Sequence, residues 1–241
     1  PAGMLDAEQL RCLADIAGKY STGIGHVTTR QDIQFHYVVL DNVKHVMTTL
    51  SKAGMTTREA CGNTVRNVTS CHHAGICATE LFDVTPIAEK VAYFLLWNPI
   101  NQDLPRKFKI SFSGCTSECG LAAIHDLGFI AASRVVDGKM EFGFKVFIGG
   151  GLGSHPKLAL PYTDFLPIED VLPLCEATLK LFDIHGNRRN KSKARMKFVL
   201  EHWGLETFRE KLNEILSELR STDRAYPELP HPVLKEKPTA L

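Results

Sequence analysis

Four cysteines in two close pairs are the residues of this chain best placed to do chemistry. Cys71 and Cys77 enclose five residues in CHHAGIC, and Cys115 and Cys119 enclose three in CTSEC. Two pairs of thiols can close an S₄ site, which suits zinc or an iron–sulfur cluster. Structural zinc favours gaps of roughly two to four residues between paired ligands, so the wider first gap argues against it. The ferredoxin runs built on gaps of about two residues do not fit either. A cubane spreads four thiolates around an object larger than one ion, and wider gaps suit that geometry. The bland alternative is four buried structural cysteines, because free Cys is among the most buried residue types. Two pairs flanked by glycines favour the ligand reading.

A second set is cationic: Arg30, Arg66, Lys107 and Lys109. Each alone reads as a solvated surface charge. Together they differ from that expectation. Arg30 interrupts an extended pattern and Arg66 sits in a loop rich in Gly, Asn and Cys. Lys107 and Lys109 alternate along an otherwise apolar strand, which puts both ammonium groups on one face. Fixed cations converging on a pocket would bind an oxyanion and stabilise charge developing on it. A third feature, GNRRNKSKARMKF (186–198), holds six basic residues and no acidic one; its plain reading is a solvated helix face or a patch for polyanions. His72 and His73 lie between two candidate ligands without being assigned as ligands themselves, and Cys61 and Cys175 carry no assignment.

The elements that must position these residues follow from periodicity. Residues 5–19 have apolar positions at Leu5, Leu10, Leu13, Ile16 and Ala17 behind an acidic first turn, a helical pattern with Cys12 on or near its apolar face. GHVTTRQDIQFHYVVL reads as extended with a break near Arg30–Gln31. Asp41 is the expected N-cap of a helix over 42–53 closed by Gly54. This order fits a ferredoxin-like half-domain whose first strand would precede Pro1, as in a trimmed chain. Residues 61–79 read as a functional loop. Thr85-Pro86 opens a helix to about Trp97, and KFKISFS (107–113) is a buried strand. Cys115 and Cys119, four apart, would share a face of a helix after it. Asp137-Gly138 joins two strands in a hairpin, Gly128–Val136 and Lys139–Ile148. GGGLG (149–153) lacks the order of a nucleotide loop and is expected to let backbone approach a ligand closely. Helices follow near 168–184, 190–202 and 205–220.

Composition sets outer bounds. A chain of 241 residues, 44% hydrophobic, 23% charged and with a net charge of +1, has an ordinary globular profile. That balance offers no whole-chain attraction for nucleic acid, and no run of roughly eighteen or more apolar residues offers a membrane span. Seven cysteines, an odd number, without a secretory signature point to a reducing compartment, the cytoplasm.

The spacing Cys-x5-Cys and Cys-x3-Cys resembles the coupled cluster and siroheme site of the sulfite and nitrite reductases. TTRQDIQFH (28–36), CGNTVRNV (61–68), LPRKFKIS (104–111), IHDLGFIA (124–131) and FKVFIGGGLG (144–153) resemble blocks of that family in its order. The resemblance implies an α+β fold: a ferredoxin-like half-domain over 1–54, a mixed α/β siroheme- and iron–sulfur-binding domain over 55–220, and a linker or tail over 221–241. It implies Cys71, Cys77, Cys115 and Cys119 as ligands of one [4Fe–4S] cluster, with Cys119 also bridging to siroheme. Arg30, Arg66, Lys107 and Lys109 would bind the anion and supply protons. Asn63, Asn67, Arg188, Arg189, Lys191 and Arg195 would meet the carboxylate rim of siroheme. The activity implied is the six-electron reduction of sulfite to sulfide, fed by a donor such as ferredoxin. Lys109 tilts the choice toward sulfite, since nitrite enzymes of plant and cyanobacterial type tend to have Asn there. Nitrite reduction to ammonia is the nearest rival. A non-catalytic iron–sulfur electron-transfer or redox-sensing module and a zinc-stapled domain are rivals from other classes. Family members contain two such halves, so this chain is expected to be the N-terminal half of a longer protein or a protomer that pairs with a second homologous half.

Overall fold

The computed structural model describes residues 2–222 and 224–232. The chain begins with a small helical layer. Helix α1 (Ala7–Tyr20) opens on a capping box, Asp6 accepting from the Gln9 N–H at 2.7 Å while the Gln9 side chain accepts from the Asp6 N–H at 3.2 Å. These bonds satisfy two otherwise orphaned donors. Strands β1 (His26–Val27) and β2 (Ile33–Gln34) pair antiparallel around the turn that carries Arg30, so the expected break in the extended run is a hairpin turn. Helix α2 (Val43–Lys52) packs on α1 through Leu13, Ile16, Val46 and Leu50. Asp41 does not cap α2. It lies inside a 3₁₀ turn, Leu40–Asn42, and Asn42 takes the cap position without a side-chain bond. Leu5 and Leu10, expected on the buried face of the first helix, are exposed: Leu5 lies ahead of the Asp6 cap, outside α1, and Leu10 is not among the α1 residues that pack on α2.

The larger layer is a five-stranded sheet in the order β3–β4–β5–β6–β7: β3 (Thr69–Ser70), β4 (Ile110–Ser113), β5 (Leu127–Val136), β6 (Lys139–Ile148) and β7 (Leu160–Pro167). The β3–β4 and β4–β5 pairs are parallel and the other two antiparallel. Parallel neighbours need crossovers. The crossover between β3 and β4 holds helix α3 (Thr85–Leu95), and the one between β4 and β5 is a loop with a single 3₁₀ turn, Ala122–Ile124. β5 and β6 form the expected hairpin, with Asp137 and Gly138 both at positive φ (50° and 76°), as a tight two-residue turn demands. Helices α4 (Val171–His185), α5 (Met196–Trp203) and α6 (Leu205–Ser221) complete the core. Phe112 stacks on Phe129 with ring centroids 4.6 Å apart, and Phe144 meets both edge-on. Of the segment expected as a tail, residues 224–229 pack against the body. Tyr226 meets Phe94, Arg224 pairs with Glu176 at 2.9 Å, and Leu229 is buried. Residues 223 and 233–241 lie outside the described residues.

The glycine run 149–153 makes its close approach to the protein itself rather than to a ligand. A Cβ on Gly150 would stand 2.6 Å from the Ala123 carbonyl and 2.7 Å from that of His125, and one on Gly151 would stand 2.8 Å from the Arg195 guanidinium. Lys197 Nζ holds the outer side of this loop by donating to the carbonyls of Gly151, Leu152 and His155. The small residues therefore let the loop lie flat on the segment that precedes β5. Gly150→Ala is expected to destabilise the fold by roughly 1–3 kcal/mol through overpacking against backbone that cannot swing aside. Denaturant unfolding of the variant, with its slope unchanged, measures this.

Candidate functional site

The two cysteine pairs sit where two parallel strands end. Cys71 directly follows β3 and its N–H donates to Phe112 O at 2.8 Å; Cys115 lies two residues beyond β4. The loops are tied together by the Leu81 N–H, which donates to Gly114 O at 2.7 Å. Between Cys71 and Cys77 the chain folds back through Gly75 at φ +85°, whose N–H donates to Glu80 Oε2 at 2.9 Å. The second pair does not lie on a helix. Residues 114–121 make successive tight turns, with Glu118 and Leu121 at positive φ (57° and 55°). The reason is local: the Gly120 N–H donates to Ser113 Oγ at 3.0 Å, turning the chain back onto β4 before a helical turn can close. Backbone reversal does here what a shared helix face was expected to do.

The four thiols feel one another. Burial pushes the Cys71 thiol up, and Cys119 and Cys115 add to that effect. Cys77 is pulled down, chiefly by the Thr79 hydroxyl 3.2 Å away and also by Cys115. Among the described residues no group of three or more His, Cys, Asp or Glu is drawn tightly enough to hold one metal ion; the thiols are linked pairwise instead. An all-sulfur donor set on two loops, in mutual reach, fits a cluster larger than a single ion. Cys175 is part of the core, Cys61 is exposed, Cys12 packs on the half-domain, and His72 and His73 are exposed.

The cations form a second group on the opposite end of β4, since Lys109 precedes that strand and Cys115 follows it. Asp126, fully buried, organises this group. Its Oδ2 accepts from the Arg195 guanidinium at 2.8 Å and from the Lys109 N–H at 2.9 Å. Burial raises the Asp126 pKa, and Arg195 and the Lys109 N–H oppose that rise. Lys109 is pulled down to about 8, by burial first and then by Arg30, Arg195 and Lys107. Lys107 is lowered too, by burial, Arg195, Arg66 and Arg106. Neither ammonium group has a hydrogen-bonding or ion-pairing partner among the described residues.

Arg30 reaches from the β1–β2 turn into the larger layer. Its Nη1 donates to Thr69 Oγ1 at 3.3 Å and to His125 Nε2, its Nη2 donates to Asn67 O, and its buried Nε has no partner. Burial lowers its pKa only to about 10, so it is charged at neutral pH. Asn67 returns the contact by donating to Arg30 O at 3.0 Å and Gln31 O at 3.2 Å. Arg66 wraps its own loop, donating to Ala60 O at 3.0 Å and to Gly62 O. Asn63 is exposed and lends its carbonyl to the Leu104 N–H at 2.8 Å. The basic run 186–198 is divided. Arg195 joins the Asp126 group, whereas Arg188 pairs with Asp183 at 2.5 Å and Asp103 at 3.5 Å, and Arg189 and Lys191 are exposed. Asp126 and His125 are site residues that the sequence reading passed over, although both stand in the IHDLGFIA block. A carboxylate beside a histidine in an apolar stretch was the available signal.

A cavity of about 1700 Å³ lies between the half-domain and the sheet, and Cys71, Cys119, Arg66, Asn67 and His125 line part of it. Lys107 and Lys109 stand outside that lining. Unpaired cations, the unpartnered Nε atoms of Arg30 and Arg195, and a thiol-edged cavity fit a large cofactor rimmed by carboxylates.

Comparison with known proteins converges on one family. The family described as nitrite and sulphite reductase 4Fe-4S domain matches residues 61–219, and the nitrite/sulfite reductase ferredoxin-like half domain matches 1–53. An assimilatory ferredoxin-dependent nitrite reductase of Haloferax mediterranei is 35% identical over 222 residues, covering 87% of this chain and 38% of that protein. A ferredoxin sulfite reductase of Mycobacterium tuberculosis is 32% identical over 232 residues, covering 96% of this chain and 41% of its own length. The solved structure of M. tuberculosis NirA superposes with a TM-score of 0.82 at 31% identity, over 96% of this chain and 40% of that one. The chain thus spans about 40% of the length of these relatives. The [4Fe–4S] cluster and siroheme implied by these matches account for a four-thiol site beside a cavity lined in part by Cys71 and Cys119. The chain belongs to the nitrite and sulphite reductase family of oxidoreductases.

Proposed function

We propose that this chain is one half of a siroheme-dependent reductase that takes sulfite to sulfide in six electrons. The observation that carries this reading is the pair of unpartnered ammonium groups, Lys107 and Lys109, held beside Arg30 and Arg195 in a chain that also has a four-thiol site. Cys71, Cys77, Cys115 and Cys119 would hold the cluster, with Cys119 shared with siroheme, and Asn63, Asn67, Arg188, Arg189, Lys191 and Arg195 are the proposed contacts to the siroheme rim. When bound, the two cofactors supply electrons one at a time. The protein's own task is to hold an anion and deliver protons. Each oxygen of sulfite leaves as water and takes two protons with it. Arg30 and Arg66 are permanent charges that can orient the anion. Lys109, whose pKa of about 8 lies near a neutral working pH, can both attract an oxyanion and release a proton from Nζ to it.

Nitrite reduction to ammonia is the second reading, favoured by the relatives named as ferredoxin-dependent nitrite reductases. The ferredoxin in the names of relatives of both kinds supports ferredoxin as the electron donor. A second homologous half, in the same chain or another, would cover the exposed apolar side chains of the half-domain, among them Leu10, Val27 and Leu40. No helix among the described residues is long and apolar enough to cross a membrane. A reducing cytoplasmic setting would suit seven free cysteines.

Cys77→Ser is expected to abolish cluster and siroheme incorporation together. Iron and acid-labile sulfide content with the absorption spectrum of anaerobically purified protein measures this, and full retention of both would remove the cysteine assignment. Lys109→Asn is expected to keep the cofactor spectrum and weaken sulfite binding about tenfold or more, since a hydrogen bond to a charged group contributes roughly 1.5–3 kcal/mol. With Lys109 charged below about pH 8 and neutral above it, sulfite affinity should fall as pH rises through that value, and the variant should lack this step. An unchanged affinity profile would take Lys109 out of the site.

A further inference from the structure

His125 is buried and bonded on both ring nitrogens by groups that leave it no choice of tautomer. On one side the Leu121 carbonyl, 2.6 Å from Nδ1, can only accept, so Nδ1 carries the proton. On the other side the Arg30 guanidinium can only donate, so Nε2 must be bare. The ring is thereby fixed as a neutral imidazole with its free lone pair aimed at Arg30. Surrounding charge reinforces this state: burial, with Arg30, Lys109 and Arg195, holds the pKa down to about 3.

A neutral acceptor is what an anion-binding arginine requires. A carboxylate in this position would aim Arg30 equally well, but it would also neutralise it and compete with the anion. An aliphatic side chain would take the acceptor away from the guanidinium N–H and leave the Leu121 carbonyl with the Ile124 N–H alone. The imidazole orients Arg30 and leaves its charge unspent. Its other nitrogen grips Leu121, two residues past Cys119, in the turn series that presents that thiol. Arg30 itself is anchored through Asn67 O and Thr69 Oγ1 on the segment leading into Cys71. One ring therefore joins the arginine of the small layer to the cysteine loop of the large one.

We propose that His125 is a positioning residue for the reductase reaction: its neutral imidazole aims the Arg30 guanidinium at the anion and ties that arginine to the loop bearing Cys119. The proposal rests on the reading of Arg30 as an anion binder, and the experiment separates the two. In the cofactor-loaded protein, the sulfite KM and kcat, together with the sulfite Kd from optical titration, are compared for His125→Leu, His125→Gln, His125→Asp and Arg30→Gln. Gln places a neutral acceptor near the Nε2 position. The expected order is a Gln variant within about twofold of the parent, and a Leu variant weakened in Kd and KM about tenfold, with a smaller change in kcat. The Asp variant is expected to be at least as weak as Leu, because it keeps the hydrogen bond but cancels the charge. Arg30→Gln raising KM while His125→Leu and His125→Asp leave it unchanged would overturn the positioning role alone. Arg30→Gln leaving KM and Kd unchanged would overturn the reading of Arg30 and the proposal with it. A second readout needs no variant to fold. Ring-nitrogen NMR of the ¹⁵N-histidine-labelled chain without its cofactors should show His125 neutral and protonated at Nδ1 throughout the near-neutral range. An imidazolium or an Nε2–H tautomer there would overturn the proposal.

Discussion

The buried contact between Asp126 and Arg195 is the constraint on which the rest of the site depends. A carboxylate with no solvent exposure is costly to bury, and pairing it with a guanidinium seldom recovers more than that cost. The pair is therefore poorly explained as a source of stability and well explained as a source of position. Through Oδ2, Asp126 fixes the backbone of Lys109 as well as Arg195. Arg195 in turn fills the space that Gly151 leaves by having no side chain. The residue before Asp126 is His125, whose ring faces Arg30. Remove the carboxylate, and the segment carrying the two lysines ahead of β4, the glycine loop and the arginine of the half-domain all lose a shared reference point.

The sheet explains why the two chemical sets occupy separate places. Strands β3 and β4 are parallel neighbours, so their C-terminal ends lie side by side and the loops leaving them bring four thiols together. Their N-terminal approaches also lie side by side, and there Arg66 and Phe108 exchange backbone contact while Lys107 and Lys109 flank Phe108. The extended run from Lys109 to Ser113 covers about 13 Å, which sets the ammonium groups at the other end of β4 from the cysteines. The returning loop 114–126, bound down by Ser113 and His125, bridges the interval.

Much of this was legible in the residues. The Asp137-Gly138 hairpin, the break at Arg30, the opening of α3 at Thr85-Pro86 and the buried character of 110–113 each rest on local stereochemistry, which periodicity and turn residues report directly. The failures share a different cause. Cys115 and Cys119 have helical spacing, but a hydrogen bond from Gly120 to Ser113 overrides it, and that bond depends on the strand already being in place. The glycine run was expected to admit a ligand; it admits Arg195 and the backbone of His125, partners far away in sequence. Asp41 has the chemistry of a cap, yet the chain enters α2 through a 3₁₀ turn that moves the cap to Asn42. In the run 186–198, composition alone could not separate Arg195, which turns inward to Asp126, from Arg188, which turns outward to Asp183 and Asp103.

The cationic group also carries an electrostatic imbalance created by folding. Arg30, Lys107, Lys109 and Arg195 repel one another at short range, and among the described residues the chief carboxylates set against them are Asp126 and Asp32. The imbalance shows in Lys109, which burial and its neighbours lower to about 8. Between that value and its ordinary one near 10.4 the folded protein holds fewer protons at this lysine than the unfolded chain, so the contribution of Lys109 makes stability rise with pH in that window. An anion placed among these cations reverses the sign. It raises the Lys109 pKa, draws a proton onto Nζ, and relieves the repulsion that folding created. Binding of an anion there and uptake of a proton would therefore be one linked event at mildly alkaline pH.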